Sequence, residues 1–524
     1  MTGEPDRVPK DYRWRNRAIL GALFLAGLLP LLATPIIPSI DFYNHLARFF
    51  VLSHVDHDPL LQTYYQADWP SSPDIAWDLI SVPVLALVPP MVAGHLIAVG
   101  MFALLYFGVL YFNHVLYGRW SLLTAVLLLP LFYSYIFNWG FGNFLIGLAL
   151  AFWGAGWWIA HRDRPLLVVP VSCLISVLIF FMHGIAFALY GIVVVVLEIG
   201  FFFDGRPWRA AMLVRSLFLT SIQAVIPFTI FIYWVVGRIH NGALPELSDF
   251  SPQVHMGPRV VDLLARVARR LVPVLRVEEG PAYWFDILTF AAQAVCLGFL
   301  ALRGAVRIPR FAWPLLAVAA LLMVVGLPRL LGVSFITDRM PLFMALCLLG
   351  VLFFDQRRWT FSEHIAGGVL ISIVFARLVA IAVSWSSYAQ PYREFQSVAS
   401  LIPRGSMVMQ VMVGAGDHET EVPRCEMYGP LLIAQYGQIG WLFADKDQHP
   451  LDLVGPLRES VIALHKDFVS GGTDEYERYM ISSARAGFEY MMICNANLLN
   501  EKLPPSMSLV ARTANFALVH AKDR

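Results

Sequence analysis

Charge is scarce in this chain of 524 residues: 14% of them are Asp, Glu, Lys or Arg, and the formal net charge is +1. A surface that neutralises nucleic-acid phosphates needs a strong basic excess, so no nucleic-acid partner is expected. Neither a Walker A loop nor a Rossmann glycine fingerprint occurs, which leaves no supported case for a nucleotide-binding enzyme. The Gly-x-Ser-x-Gly nucleophile elbow is missing as well. There is no fixed-period internal repeat and no low-complexity tract. Cysteine is also sparse, at five residues. Cys173, Cys296 and Cys347 lie in apolar runs, where buried thiols are usually inert. Cys425 and Cys494 lie in a polar C-terminal region, and in an oxidising compartment they could form a disulfide. Their spacing leaves the pairing open.

What the chain has instead is apolar length: 58% of its residues are hydrophobic, far above soluble globular composition. It reads as an α-helical polytopic membrane protein. After a basic N-terminus (1–17), runs of spanning length fall near 18–38, 91–112, 120–137, 142–160, 165–182, 184–203, 217–237, 283–302, 312–328, 340–354 and 363–385, about eleven spans by the length a bilayer requires. The first, Ala18 to Pro38, reads as a retained anchor rather than a signal peptide. With the N-terminus cytoplasmic, the loops carrying Arg119, Arg162, Arg206, Arg303 and Arg357 fall inside, as positive-inside topology requires. The loops 39–90 and 238–282 and everything after about 386 then lie outside. Loop 238–282 breaks the charge rule with Arg259, Arg266, Arg269, Arg270 and Arg276. Its segment Val260–Val272 has the period of an interfacial amphipathic helix, suited to an anionic headgroup.

Within the membrane domain (18–385) the mid-span segments read as almost wholly apolar. Residues 386–524 have a different texture. Met407–Val413 and Phe488–Ile493 read as buried strands, 474–485 as a helix, and Leu509–Arg512 with Ala517–His520 as a hairpin. That predicts a small extracytoplasmic α/β domain.

The most informative stretch is Asp41-Phe42-Tyr43-Asn44-His45-Leu46-Ala47-Arg48, just past the first apolar run. The spacing i, i+4, i+7 puts Asp41, His45 and Arg48 on one face of a short helix, so that acid, base and anion-binding group share a patch. The alternative is a wet loop in which Arg48 simply pairs Asp41. Asp56, His57 and Asp58 offer ligand types for a divalent cation, against a hydrated turn into Pro59. No cofactor is firmly called for. Asn138-Trp139-Gly140-Phe141-Gly142-Asn143 suits close approach of a sugar, or equally a tight interhelical turn. His183 interrupts an apolar run, facing a cavity or closing a helix end. Asp338 and Arg339 stand at the mouth of the tenth span, with Arg329 at the end of the ninth. The planar guanidinium fork suits a lipid-linked phosphate, and the predicted topology brings this mouth to the face that carries Asp41.

On this plan, with an acid early in the first outer loop, many spans, an outer C-terminal domain, and the segments Asn143–Gly147 and Asp338-Arg339, the chain resembles the GT-C class of integral-membrane glycosyltransferases. That group includes protein O-mannosyltransferases and the lipid A aminoarabinose transferase. The resemblance implies a polyprenyl-phosphate-linked sugar donor, inverting transfer to an extracytoplasmic lipid, glycan or protein acceptor, and no nucleotide cofactor. It also implies a bacterial inner membrane location with a periplasmic C-terminal domain. Carried onto these positions, Asp41 is the general base, with Asp56 or Asp58 as substitutes because a second early acid adjoining Asp41 is missing. His45 orients the base or the acceptor. Arg339, with Arg48 or Arg329, neutralises the departing phosphate. Tyr43, Asn44, Asn138, Asn143, His183 and Asp338 are expected to contact substrate. The competing class is a non-enzymatic transporter or a lipid- or polysaccharide-handling membrane protein.

Overall fold

The computed structural model describes residues 10–69, 74–205, 210–240, 274, 277–325, 329–330, 333–356, 359–413, 424–444, 449–469, 476–498 and 503–522. The amphipathic segment Val260–Val272 lies outside them. Among the described residues, eight helices are long and apolar enough to cross a membrane: Pro90–Tyr117, Leu122–Trp139, Gly142–His161, Pro165–Met182, Gly184–Asp204, Ala210–Gly237, Tyr283–Leu302 and Phe361–Ala399. Three shorter apolar helices accompany them, Asn16–Gly27, Ile75–Leu87 and Arg310–Val324. The run 18–38 is not one continuous helix. The helix Lys10–Gly27 stops, a single turn follows at Leu29–Leu32, and the chain is irregular through Pro35 and Pro38. Pro30, Pro35 and Pro38 lack the N–H that an α-helix needs, and their rings crowd the preceding turn.

The chain divides into two compact units, each assembled from several stretches: Met1–Pro30, Gly100–Phe137 and Asn143–Ile381 form one, and Leu31–Val99, Asn138–Gly142 and Ala382–Arg524 the other. The first is a helical unit. Asn113 Nδ2 donates to the carbonyls of Gly350 and Leu352 at 2.9 and 3.0 Å, which satisfies acceptors left over at the end of the helix Ile336–Val351. The mid-span segments are not as apolar as the sequence reading had them. Arg377, inside the helix Phe361–Ser386, is fully buried, with Nη2 at 2.8 Å from Asp286 Oδ1 and Nε at 3.0 Å from Glu278 Oε2. Gln293 donates to that same Glu278 oxygen at 2.7 Å. A buried charge survives only when it is paired and hydrogen-bonded, and this cluster meets that condition with partners 91 and 99 residues away in sequence.

The second unit joins the loop 39–90 to the C-terminal stretch. Ala47, Val51, Leu52, Val55, Leu61 and Tyr65 share a buried core with Met407, Met409, Ile433, Ile439, Leu451 and Leu457. Each large aliphatic side chain buried in this way contributes about 1.5–3 kcal/mol. Tyr65–Ala67 pairs antiparallel with Leu451–Leu453, and the Tyr65 hydroxyl donates to the Gly440 carbonyl at 2.7 Å. The expected strands appear as a four-stranded sheet in the order Val408–Met412, Tyr490–Cys494, Phe516–Ala521, Met507–Arg512. Its first pair is parallel and the others antiparallel. The expected helix spans Tyr476–Arg485. Cys425 and Cys494 form a disulfide, which answers the question their spacing left open.

The glycines of the 138–143 stretch have a structural purpose. Gly140 has φ +95°, and a Cβ there would overlap the backbone nitrogen of Phe42. A Cβ at Gly142 would overlap the Trp77 ring. Gly140→Ala is therefore expected to cost about 1–3 kcal/mol for the dihedral alone and to push the Asp41–Phe42 backbone aside. Thermal unfolding of the purified protein checks this against Gly100→Ala, where a Cβ meets nothing within 4 Å; equal melting temperatures for the two variants would contradict it.

Candidate functional site

In the second unit, Asp41 is the N-cap of the helix Phe42–His54, and its carboxylate makes no capping hydrogen bond. The backbone places it firmly: Ile40 N–H donates to Asn138 O at 2.8 Å and Asp41 N–H to Trp139 O at 2.9 Å. A helix N-terminus favours a negative charge, yet here burial wins. Loss of solvent, with a smaller push from the Glu426 carboxylate, raises the Asp41 pKa to about 7. An acid poised near neutrality can take a proton and release it. Arg424 and Glu426 flank the disulfide-bonded Cys425, and Arg424 Nη1 donates to the Pro38 carbonyl at 3.0 Å. The disulfide ties the 3-10 turn Cys425–Met427, which carries Glu426, to the end of the strand Tyr490–Cys494, and Arg424 links that turn to the segment leading into Asp41.

His45 and Arg48 follow Asp41 at the expected helical spacing, and His45 N–H donates to Asp41 O at 3.2 Å. The alternative in which Arg48 pairs Asp41 does not occur. Arg48 makes a bidentate pair with Asp78, Nε to Oδ1 at 2.6 Å and Nη2 to Oδ2 at 3.1 Å, with both side chains almost wholly buried. Asp78 therefore neutralises the charge expected to serve a donor phosphate. His45 is buried, and its pKa lies well below the usual imidazole value because of that burial, then Arg48, then His449. It is a neutral hydrogen-bonding group at pH 7. The Tyr43 hydroxyl accepts from Ile37 N–H at 2.7 Å. Asn44 Oδ1, His45 Nδ1, Arg48 Nη1 and Trp77 Nε1 are buried with no hydrogen-bond partner, a concentration at odds with the near-complete pairing of buried polar groups elsewhere in proteins.

In the first unit, Arg339 and His183 form a second polar group. Arg339 is 4% exposed, its Nη1 lies 2.6 Å from His183 Nε2, and its guanidinium sits over the Phe144 ring at 5.1 Å. His183 breaks the run between the helices Pro165–Met182 and Gly184–Asp204, and its Nδ1 accepts from Ile185 N–H at 3.1 Å. The expected helix-end hydrogen bond of this histidine is present, and beside it stands a contact with Arg339. They compete, because a neutral imidazole has one acceptor nitrogen and both Ile185 N–H and Arg339 are donors. An anion is a better partner for that guanidinium than the imidazole is. Asn143 Oδ1 accepts from Phe144 N–H at 2.9 Å. Asp338 and Arg339 lie in the first turn of the helix Ile336–Val351. Arg329 lies in a two-residue strand, paired in register with Ser334.

The Asp56–Asp58 turn has structural employment. Asp58 Oδ1 caps the helix Pro59–Tyr64 by accepting from Leu60 N–H at 3.0 Å, and Oδ2 pairs with Arg404. Among the described residues, no three His, Cys, Asp or Glu side chains are grouped as a metal ion would need. The sequence marks Trp77 and Asp78 only as part of a loop rich in polar and aromatic residues, with no partner for either, and gives no sign of Phe443 and His449. A Trp and an Asp 29 and 30 residues beyond Arg48 carry no local signal of their contact, and Phe443 and His449 lie about 400 residues from His45.

No protein-family model matches the chain, and no curated protein matches it either. Solved structures do. ArnT from Cupriavidus metallidurans in the apo state is similar over 97% of this chain and 98% of that one, with a TM-score of 0.52 at 11% identity. The same protein bound to undecaprenyl phosphate is similar over 96% and 97%, with a TM-score of 0.50 at 10% identity. At that identity what is shared is the fold, that of a multi-pass membrane protein with a small C-terminal sheet domain.

Proposed function

We propose that the chain is a membrane glycosyltransferase that moves a sugar, with inversion, from a polyprenyl-phosphate donor to an extracytoplasmic acceptor. The observation that carries it is Asp41, a carboxyl group raised to about 7 at the start of a rigidly mounted helix, in a fold shared with a protein whose structure holds undecaprenyl phosphate. In the step, Asp41 takes the proton of the acceptor hydroxyl as that oxygen bonds to the anomeric carbon. The bond from that carbon to the phosphate oxygen breaks, and its electron pair leaves with the polyprenyl phosphate. His45, neutral and one helical turn from Asp41, orients the acceptor rather than the phosphate. With Arg48 committed to Asp78, Arg339 is the guanidinium that stabilises the leaving phosphate, helped by His183 and by Arg329. Tyr43, Asn44, Asn138, Asn143 and Asp338 complete the substrate contacts, and Asp41 rather than Asp56 or Asp58 is the base, since Asp58 is used as a cap and ion-pair partner. The membrane is the bacterial inner membrane, with the N-terminus cytoplasmic and the C-terminal sheet domain periplasmic.

A transporter would find its best support in Arg377, Glu278 and Asp286, because ionisable groups within spans often mark transport paths. Their mutual pairing, with Gln293 engaged as well, favours an anchor over a moving charge. Arg339→Gln is expected to weaken binding of polyprenyl phosphate about 10- to 100-fold, the loss of charge-assisted hydrogen bonds of about 1.5–3 kcal/mol. Arg339→Lys keeps the charge but not the fork and falls between the two. Titration of the purified protein with polyprenyl phosphate measures both; unchanged affinity in Arg339→Gln removes this residue from the donor site.

A further inference from the structure

We infer that the second unit contains a saccharide subsite next to Asp41, built by His45 and Trp77 on one side and by Phe443, His449 and Trp441 on the other. This rests on the glycosyltransferase reading and narrows its acceptor from lipid, glycan or protein to a molecule that presents a sugar ring. The centroid of the His45 ring is 4.6 Å from that of Trp77. Phe443 and His449 stand nearly parallel to each other, 5.8 Å apart, and both meet His45 edge-on at 5.3 and 6.3 Å. Trp441, half exposed, lies perpendicular to Phe443 at 6.1 Å. The rings therefore form a contiguous cluster that runs from the half-exposed Trp441 to a buried indole and imidazole, Trp77 and His45.

The buried end is polar. Trp77 Nε1 and Arg48 Nη1 are donors, Asn44 Oδ1 is an acceptor and His45 Nδ1 can serve as either; none has a protein partner. A packed structural core would have matched these atoms with one another or replaced them with carbon. Their chemistry selects a ligand that both donates and accepts. A fully ionised phosphate group only accepts, and the Arg48 guanidinium is already held in a bidentate pair with Asp78. A lipid chain has no use for four polar atoms. A pyranose ring fits both halves: its hydroxyls donate and accept at the rim, and its C–H faces lie against the electron-rich faces of aromatic rings. Asn44 and His45 are three and four residues after Asp41, which sets this subsite within one helical turn of the carboxylate.

The test is direct binding to the purified full-length protein, without any donor. A panel of defined oligosaccharides (gluco-, manno-, galacto- and N-acetylglucosamine-based) is titrated and followed by saturation-transfer NMR and by tryptophan fluorescence. At least one is expected to bind, with affinity falling tenfold or more in Trp77→Phe, which keeps the ring but loses the N–H, and in Phe443→Ala at the half-buried rim. The melting temperature of Phe443→Ala, together with polyprenyl phosphate affinity, reports that the variant is folded. If no saccharide binds the wild type, or if binding is unchanged in both variants, the subsite is overturned while the glycosyltransferase reading stands. Saccharide binding that disappears in both variants, in a protein that transfers no sugar from any donor, supports the subsite and overturns that reading instead.

Discussion

Asp41→Asn is expected to lower sugar transfer by about 10²- to 10⁴-fold, the range that a well-placed general base supplies, while leaving the affinity for polyprenyl phosphate in place. The asparagine keeps the shape and the backbone contacts to Trp139 but cannot accept a proton. In the wild type, transfer should rise with pH through about 7 as Asp41 ionises, and the profile of kcat/KM reads that value in the free enzyme. Stability should run in the opposite direction. The folded-state pKa is raised above the ordinary carboxyl value of 3.8, so the folded protein holds the proton more tightly than the unfolded chain does. The stability gained from this is complete below about pH 4 and is lost as pH rises toward 7. Asp41→Asn, always neutral, is therefore expected to melt higher than the wild type at pH 8 and alike at pH 4. A functional carboxylate kept at a cost to the fold behaves in this way. A variant less stable at pH 8 than the wild type would indicate that the Asp41 charge is structural.

Arg377→Met is the substitution expected to damage the fold most. It leaves Glu278 and Asp286 buried with no cation, and removing one member of a buried ion pair costs about 3–5 kcal/mol. Arg377 also donates to the Glu278 carbonyl at 2.6 Å, so the loss extends to the backbone that leads into the helix Tyr283–Leu302. The combined replacement Arg377→Met, Glu278→Gln, Asp286→Asn is expected to recover most of the stability, since replacing a whole buried pair is often nearly neutral. Melting of the solubilised variants distinguishes these outcomes. If the single and triple variants melt together, the cluster is not coupled in the way its geometry indicates. If both retain full stability but lose function, the charges serve a pathway rather than an anchor.

The residues of the candidate base were legible because helical spacing is local: Asp41, His45 and Arg48 fall within eight consecutive residues, and the period alone puts them on one side. The strands of the sheet domain were legible for a similar reason, each being a short apolar run between turn residues. What could not be read was the partner of each group. Arg48 was expected to neutralise a phosphate or Asp41, and only folding shows that Asp78 already occupies it. The first loop, 39–90, reads as a separate excursion until Tyr65–Ala67 pairs with Leu451–Leu453, a long-range contact with no sequence period. Arg377 stood in plain view within an apolar run, but a lone arginine there carries no sign of whether it reaches water or two carboxylates. In the 138–143 stretch the sequence offers the glycines as room for a ligand or for a turn. They are room for the backbone of Phe42 and the ring of Trp77.

The most direct test is transfer from a panel of radiolabelled polyprenyl-phosphate sugars into a membrane extract, comparing purified wild type with Asp41→Asn. Label should move from at least one donor to an acceptor with the wild type and fail to move with the variant, which remains folded and still binds polyprenyl phosphate. No transfer from any donor by the wild type, accompanied by movement of lipid or solute in proteoliposomes, would contradict a glycosyltransferase and point to transport.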